Sequence, residues 1–386
     1  MICKISIVFI IWVTIYKIML IRIEYGENCP LLESYLNSDI DEFRNLIASG
    51  ENINFIENRT KLSLICKIIC NHKNIKEELN KQFFDALLDS NVFIEKIEDN
   101  RSPLFCSFVE NLDIYYMDKL LKKGVEFNCE SVCDINNNYV DKSPPIFHLI
   151  KRCGLEKINL FLQYNPNLKI KDYNGLSILH CLIRSDPNDC EEIANLLLSS
   201  GADPNALNLD QNSLLHQISY GCNCWKFDSE KLLQLLLDHN ADINIKDLKG
   251  YTPIFCACET GNMKAFKVLI KNKASLTEKN EHGFNCAMIA AENGRYGMLN
   301  ILEKNGVDFS VKNNFGENIG HFLARIGQNR DSVGAERMKM LKKHYKLLTV
   351  KNNKNVSALD MIKENNASLY KDLCEFIENK NKAYMI

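Results

Sequence analysis

Cysteine and histidine are the residues of this chain best suited to bind a metal ion or to act as nucleophile and base. The chain has 16 cysteines and 8 histidines. A structural zinc site usually combines two Cys-x-x-Cys pairs, or one such pair with two closely spaced histidines. The close pairs in this sequence have other spacings, among them Cys66 and Cys70, Cys129 and Cys133, and Cys222 and Cys224. We therefore expect no metal site.

Motifs of common catalytic and phosphate-binding sites are also absent from the sequence. It contains no G-x-x-x-x-G-K-[ST] phosphate loop, no H-E-x-x-H zinc motif and no G-x-S-x-G nucleophile turn. Catalysis also needs a preorganised pocket that restricts water. We therefore expect no enzymatic activity, no cofactor and no small-molecule substrate.

The overall charge is balanced, which bears on the class of partner. The chain has 47 basic and 49 acidic residues, a formal net charge of −2, and no long run of one sign. A nucleic-acid binder typically shows a basic stripe, so we expect no nucleic-acid partner. The hydrophobic share of 46% and the charged share of 25% are typical of a folded soluble chain.

Local structure is clearest between Gly250 and Leu276. Pro253 follows Thr252, and proline is favoured in the first turn of a helix because its ring fixes φ and its missing N–H would have no partner there. Gly261 predicts the end of this short helix. From Met263 onward, apolar residues recur at three- and four-residue steps, which predicts a second helix. Such a helix pair has one apolar face and needs a neighbour on each side.

The same pattern recurs along the chain. Taking Thr252 as the register mark, the equivalent positions are Cys29, Thr60, Ser102, Pro144, Ser177, Ser213, Asn285, Asn318 and Ser357. Three of the nine intervals equal 33 residues, and residues 199–205 and 238–244 share an Ala-Asp-x-Asn ending. This pattern resembles the ankyrin repeat, whose signature contains G-x-T-P-L-H-x-A and, later, G-A-D-x-N. The resemblance covers about residues 27 to 378.

The resemblance implies an all-α solenoid of about ten repeats, several of them degenerate, in which helix pairs are joined by β-hairpin-like or loop connections. We expect a hydrophobic segment at 1–26 forming a short helix, the repeat array at 27–380 and a tail at 381–386. In the ankyrin family the signature histidine is structural and ties its own turn to the neighbouring backbone. The resemblance therefore implies scaffold roles, not catalytic ones, for His180, His216 and His321.

Extra residues lengthen several repeats relative to the common period. They are expected between the paired helices near residues 71–80, 184–191, 220–231 and 326–336, and in the connection at 129–142. Inserted loops project from the surface of a stack, where they often carry specificity. Drift under weak selection explains them equally well.

The resemblance also implies protein partners, bound by the hairpin tips and by the concave face of the first helices. Large aromatic residues on turns anchor many interfaces, and four lie on the expected tips: Tyr173, Tyr251, Phe284 and Phe315. The alternative is that each ring packs against the adjoining hairpin. Candidates at the ends of the first helices are Lys151, Arg152, Arg184, Tyr220, Glu259, Glu292 and Arg325. Basic residues cluster in the fourth and fifth repeats and acidic ones in the seventh and eighth, which would orient a partner of complementary charge.

Residues 1–26 fit three interpretations. Ile5–Ile21 has 17 residues, the lower edge for a membrane span, with Lys17 reaching the interface. Lys17, after the apolar stretch Ile5 to Tyr16, and Arg22 would then keep the repeats in the cytoplasm. A signal peptide has an apolar run of similar length, but the small residues of a cleavage site are missing. In the third interpretation translation starts at Met19, or the segment is a loose apolar tail.

Cysteine usage favours a reducing compartment. Cys181, Cys256 and Cys286 fall within expected first helices, where small apolar side chains pack, and no disulfide framework is evident. We expect a cytoplasmic protein, or a membrane-anchored one with its repeats facing the cytoplasm, and secretion fits less well. The expected function is a scaffold or adaptor that binds a partner protein. The alternative is a membrane-tethered structural protein that clusters itself or a membrane protein.

Overall fold

The computed structural model describes residues 29–54, 63–70, 75–90, 92, 114–125, 133–134, 140–141, 143–152, 154–172, 174–185, 188–221, 228–325 and 331–383. Nineteen α-helices, one 3-10 helix and one two-stranded hairpin lie in these ranges. They belong to two compact units, residues 1–173 and residues 174–386. The all-α class expected from the sequence is confirmed.

In its described residues, the first unit has short helices, most of which pack in pairs. They are α1 Pro30–Leu36, α2 Ile40–Ala48, α3 Leu64–Cys70, α4 Glu77–Asp89, α5 Ile114–Lys122, α6 Pro145–Arg152 and α7 Leu155–Leu162. Helix α1 packs on α2, α3 on α4, and α6 on α7. The antiparallel strands β1 Cys133–Asp134 and β2 Val140–Asp141 lie in the lengthened connection between α5 and α6.

The second repeat begins later than the sequence pattern suggested. Helix α3 starts at Leu64, and Ser63 Oγ accepts a hydrogen bond of 3.3 Å from the Cys66 amide. Ser63 therefore holds the position before the helix that the register gave to Thr60, which lies outside the described residues. The reason is that no proline follows Thr60, whereas Ser63 can satisfy a free amide of the first turn.

The extra residues expected near 71–80 lie only partly between the helices, because Glu77–Asn80 is the first turn of α4. Asn80 is fully buried and hydrogen-bonded. Its Oδ1 accepts from the Tyr35 hydroxyl at 2.8 Å, and its Nδ2 donates to the Tyr116 hydroxyl at 2.9 Å. A buried amide is stable only with such partners, so this polar residue belongs to the core.

The described part of the second unit contains twelve helices: α8 Ile178–Ser185, α9 Cys190–Ser199, α10 Leu214–Tyr220, α11 Ser229–Asp238, α12 Pro253–Thr260, α13 Met263–Lys271, α14 Cys286–Glu292, α15 Tyr296–Lys304, α16 Ile319–Arg325, α17 Asp331–Lys343, α18 Ala358–Asn365 and α19 Ala367–Ala383. A 3-10 helix, Tyr345–Thr349, precedes α18. The first helices α10, α12, α14, α16 and α18 pack one on the next, and the second helices α9, α11 and α13 do the same. The solenoid of helix pairs is confirmed.

Polar residues at the register mark start the first helices, as the pattern predicted. Thr252 directly precedes α12, and Gly261 ends that helix in the left-handed region at φ 82°. Asn285 Oδ1 accepts from the Met288 amide at 3.0 Å, and Ser357 Oγ accepts from the Asp360 amide at 3.2 Å. These bonds satisfy amides that have no partner inside the helix.

The three signature histidines join adjacent repeats. His180, His216 and His321 are buried, and the Nε2 of each lies 2.9–3.2 Å from a backbone carbonyl of the following repeat. Because a carbonyl can only accept, each Nε2 carries the proton. Burial lowers the pKa of His216 and of His321, which keeps both rings neutral. Their expected scaffold role is confirmed.

Both chain ends extend past the described residues. Residues 1–26 lie outside them, so the N-terminal helix and its three interpretations stay predictions. Helix α19 continues to Ala383, beyond the expected end of the array at 380. Among the helices of the described part, none is both long and apolar enough to cross a membrane.

Candidate partner-binding surface

Five short turns, here called the tips, precede first helices in the second unit: residues 208–212, 247–251, 280–284, 313–317 and 352–356. In each tip, the amide of the first residue donates to the carbonyl of the fifth, as in Asn280 to Phe284 at 2.9 Å. Every tip begins with Asn or Asp. Asn280 Oδ1 accepts from the amides of His282 and Phe284 at 3.0 and 2.9 Å. This local bonding is why Asn and Asp favour turns.

Neighbouring tips are bonded to each other. The Asn314 amide donates to the carbonyl of His282 at 3.1 Å, and the Asn353 amide donates to the carbonyl of Phe315 at 3.0 Å. Space between them is small, because a Cβ at Gly283 would lie 2.8 Å from the Asn314 nitrogen. The tips therefore present their side chains from a fixed backbone.

Two of the candidate aromatic residues, Phe284 and Phe315, lie on these tips near each other. Their ring centroids are 6.5 Å apart, and Phe284 also packs edge-on against Phe322 of α16 at 5.0 Å. Phe284 is half-buried, whereas Phe315 keeps half of its surface exposed. Phe284 therefore fits in part the alternative interpretation, in which a tip ring packs against its neighbours instead of contacting a partner.

The candidate Tyr251 lies beside two acidic candidates. Its half-buried ring packs against Phe255 at 5.6 Å between centroids. Burial, followed by the charges of Glu259 and Glu292, raises the pKa of Tyr251 to about 12. Both carboxylates therefore lie within electrostatic reach of the same hydroxyl.

The first-helix ends carry the other candidates of the second unit. Arg184, Glu292 and Arg325 are exposed, while Tyr220 and Glu259 are half-buried. Burial, followed by the nearby Cys256 thiol, raises the pKa of Tyr220.

Arg325, an exposed candidate on α16, already has partners within the chain. It forms an ion pair with Glu317, and its guanidinium carbon lies 5.0 Å from the centroid of the Phe322 ring. Glu317 itself is buried and also accepts from Asn313 Nδ2 at 3.0 Å. Glu317 stands two residues before α16, the position that Tyr251 and Phe284 hold before their own first helices. This equivalent position was the sequence signal that could have marked Glu317 as part of the same surface.

Three candidates lie elsewhere. Lys151 and Arg152 end α6 in the first unit, where Lys151 is exposed and only the backbone of Arg152 is described. Tyr173 lies outside the described residues. Their role in partner binding stays a prediction.

Two leucines were missed by a sequence reading that considered only aromatic residues. Leu209 and Leu248 stand second in their tips and are 73% and 61% exposed. The available signal was a large apolar side chain on a turn, where folding does not enforce burial. Leu209 lies against the preceding connection, since a Cβ at Gly175 would meet its Cγ at 2.6 Å.

Metal-binding and nucleophilic chemistry find no support in the described part of the chain. No group of three or more His, Cys, Asp or Glu side chains there could hold a metal ion. Cys256, Cys258 and Cys286 are buried free thiols. Burial raises the pKa of all three, to about 12 for Cys286, so the reactive thiolate is scarce at neutral pH.

Comparisons with known proteins agree with the repeat pattern. A family model described as ankyrin repeats in three copies matches residues 221–313, and one described as ankyrin repeat matches residues 174–209. A Rickettsia felis protein named for its ankyrin repeats is 38% identical over 102 residues, 26% of this chain and 43% of that protein. A fowlpox virus protein, also named for ankyrin repeats, is 29% identical over 113 residues, 28% of this chain and 24% of that protein.

Each match spans less than half the length of the curated relative. Among solved structures, the ankyrin repeat domain of Bcl-3, a member of the IkappaB family, is 18% identical, and the match covers 72% of this chain and all of that domain with a TM-score of 0.48.

Proposed function

We propose that this chain, an ankyrin-repeat protein, binds a partner protein through the tips and the adjoining first-helix ends of its second unit, and catalyses no reaction. Ankyrin repeats generally serve as modules for protein–protein interaction. Their tips and first helices form an open surface, which suits contact with another chain better than enclosure of a small substrate. The proposal extends this general role to particular residues.

The observation that carries the proposal is the row of apolar side chains on the tips. Leu209, Leu248 and Phe315 are the exposed large hydrophobic residues among those the structure describes, and all three lie on tips. Scattered exposed apolar residues are normal in folded proteins. Their restriction to the tips of one unit is what marks a contact surface, because a partner would remove this apolar area from water.

The rigidity of the tips supports the same function. Each tip is closed by its own backbone hydrogen bond, and several are bonded to the neighbouring tip. A surface that is ordered before binding loses little conformational entropy when a partner arrives. These turns can therefore contribute to affinity although they are short.

We place this activity in the cytoplasm. The buried free thiols, among them Cys181, Cys256 and Cys286, support a reducing compartment. Fractionation of the tagged chain with and without residues 1–26 tests this placement. Both forms should stay in the soluble fraction, whereas membrane association only of the longer form would favour the tethered alternative.

The test of partner binding is affinity capture with a tip variant and a matched control. The tip variant Leu248→Ser/Phe315→Ser removes two exposed apolar side chains, so the fold should remain intact. The control Lys264→Ala/Asn300→Ala changes two exposed residues on the second helices α13 and α15. We expect the tip variant to lose partners that the wild type and the control retain, and to bind each purified partner more weakly.

The variant Tyr251→Ala/Phe284→Ala extends the test to the rings at the bases of two tips. An unchanged set of partners for both tip variants, with unchanged affinities for the purified proteins, would exclude this surface as the contact.

A further inference from the structure

Three successive repeats differ in the side chains beside the end of the first helix. In the repeat of α16, Glu317 stands just before the residue that starts the helix, and Arg325 ends it. The two form an ion pair, and the Arg325 guanidinium lies over the Phe322 ring. The side chain before the helix and the side chain at its end therefore meet in this register. A guanidinium fits there between a carboxylate and an aromatic face.

The two preceding repeats carry an aromatic residue and a carboxylate at the same two positions. They are Tyr251 and Glu259 in the repeat of α12, and Phe284 and Glu292 in the repeat of α14. The two repeats are neighbours at this surface, because α12 packs on α14, and the charges of both glutamates act on the Tyr251 hydroxyl. Each of these repeats thus has a ring and an anion but no cation of its own at these positions.

No basic side chain within the described residues forms an ion pair with either glutamate. The ion pairs in the described part of the second unit join other residues: Lys246 with Glu278, Arg325 with Glu317, and Lys343 and His344 with Glu303. Arg295 lies close to Glu259, but its guanidinium donates to the backbone carbonyl of that residue at 3.1 and 3.3 Å. Both carboxylates remain available to a cation from outside.

We propose that Tyr251, Phe284, Glu259 and Glu292 form an acceptor surface for basic side chains, and that the partner places an arginine- or lysine-bearing segment on it. This inference rests on the proposed function and names the chemistry of the partner. Ring faces and carboxylates both attract cations. Arginine suits the surface better than lysine, because a planar guanidinium can stack on a ring while it donates two hydrogen bonds to a carboxylate.

Charge complementarity selects this occupant over an acidic or purely apolar one. An acidic segment would meet Glu259 and Glu292 and be repelled. An apolar segment would cover the rings but would also desolvate the carboxylates without compensation. A basic segment covers the rings and neutralises the carboxylates together.

The test uses the full chain and a fluorescent peptide of alternating arginine and serine, with binding followed by anisotropy. Peptides with lysine or glutamate in place of arginine are the comparisons. We expect the affinity order arginine, lysine, glutamate, with the affinity for arginine falling as salt rises. The variant Glu259→Gln/Glu292→Gln keeps the side-chain shape and should weaken arginine-peptide binding by roughly tenfold.

A matched control separates a local site from general electrostatic attraction. Glu192→Gln/Glu230→Gln removes the same charge from exposed positions on α9 and α11. It should change the affinity by less than about twofold, because these charges stand on second helices and salt screens the interactions of exposed charges. Tyr251→Phe should keep the affinity and Tyr251→Leu should lower it, which tests the ring separately.

The inference is overturned if the wild type does not bind the arginine peptide, or binds the glutamate peptide equally well. Equal affinities of the wild type and Glu259→Gln/Glu292→Gln would overturn it too, as would an equal loss in the control. These outcomes differ from failure of the proposed function. If Leu248→Ser/Phe315→Ser still loses a purified partner while the arginine peptide does not bind, partner binding stands and only the basic chemistry is wrong.

Discussion

The Nε2 of His216 donates a hydrogen bond of 2.9 Å to the backbone carbonyl of Tyr251, 35 residues further along the chain. The other ring nitrogen, Nδ1, accepts from the Ser213 amide at 3.2 Å. One buried ring therefore joins the start of α10 to the end of the next tip. Since Tyr251 carries one of the candidate contact rings, this scaffold bond also fixes the backbone of the proposed surface.

Replacement of His216 by alanine should destabilise the second unit. It leaves the buried Ser213 amide without its acceptor and removes one of the two hydrogen bonds to the Tyr251 carbonyl, a change that typically costs about 1–3 kcal/mol. Urea unfolding followed by circular dichroism measures the loss. His239→Ala is the control, because His239 bonds to Asn195 at an exposed site and should change stability by less than about 0.5 kcal/mol. Equal losses in both variants would contradict a structural role of the His216 bonds.

Stability should fall on mild acidification. Burial lowers the pKa of His216 and His321 in the folded chain, whereas the unfolded chain keeps the ordinary value of about 6.5. Between these values the unfolded state binds more protons, so stability is complete above about pH 6.5 and declines as the pH falls below it. Thermal unfolding between about pH 8 and pH 5 measures this effect. His216→Gln should flatten the decline, and a wild-type midpoint independent of pH would contradict the assignment.

Helix starts could be predicted from the sequence where their signals are local. Pro253 begins α12 and Gly261 ends it, and both signals lie at the helix ends themselves. The pattern therefore predicted both ends of α12 correctly. The second repeat lacks such a proline, and its start was placed at Thr60 instead of Ser63. The excess length of the second repeat predicted that Asn80 lies between the helices. Its burial depends on Tyr35 and Tyr116, which come from other helices and cannot be read from local sequence.

The candidate surface, like the helix starts, could be predicted only in part from the sequence. The repeat register alone places Tyr251 and Phe284 at equivalent positions and Glu259 and Glu292 at another equivalent pair. The pairing of Arg325 with Glu317 depends on side-chain conformation, which the register does not specify. The exposure of Leu248 depends on how the tip projects from the stack, so it required the structure.

Gly316→Ala should disturb the tips more than Gly306→Ala. Both glycines have positive φ, 75° and 81°, and alanine at either position incurs a backbone strain of about 1–2 kcal/mol. A Cβ at Gly316 would also lie 2.9 Å from the Asn353 nitrogen, whereas one at Gly306 meets no atom within 4 Å. Urea unfolding should therefore show a larger destabilisation for Gly316→Ala than for Gly306→Ala, and the difference reports the close approach of the two tips. Equal destabilisation of the two variants would show that the neighbouring tips are not in tight contact.

The thiols of Cys256, Cys258 and Cys286 should resist alkylation in the folded chain. They are fully buried in first helices, so the reagent cannot easily reach the sulfur atoms. Burial also raises the pKa of each thiol, so little of the reactive thiolate is present. Cys374 on α19 is only half-buried and should react before these three. Iodoacetamide labelling at about pH 8 followed by peptide mass analysis compares the rates, with a sample in urea as the fully reactive control. Native labelling of Cys258 or Cys286 as fast as Cys374 would mean that the stacked first helices open readily, and the fixed backbone on which the contact surface depends would then be lost.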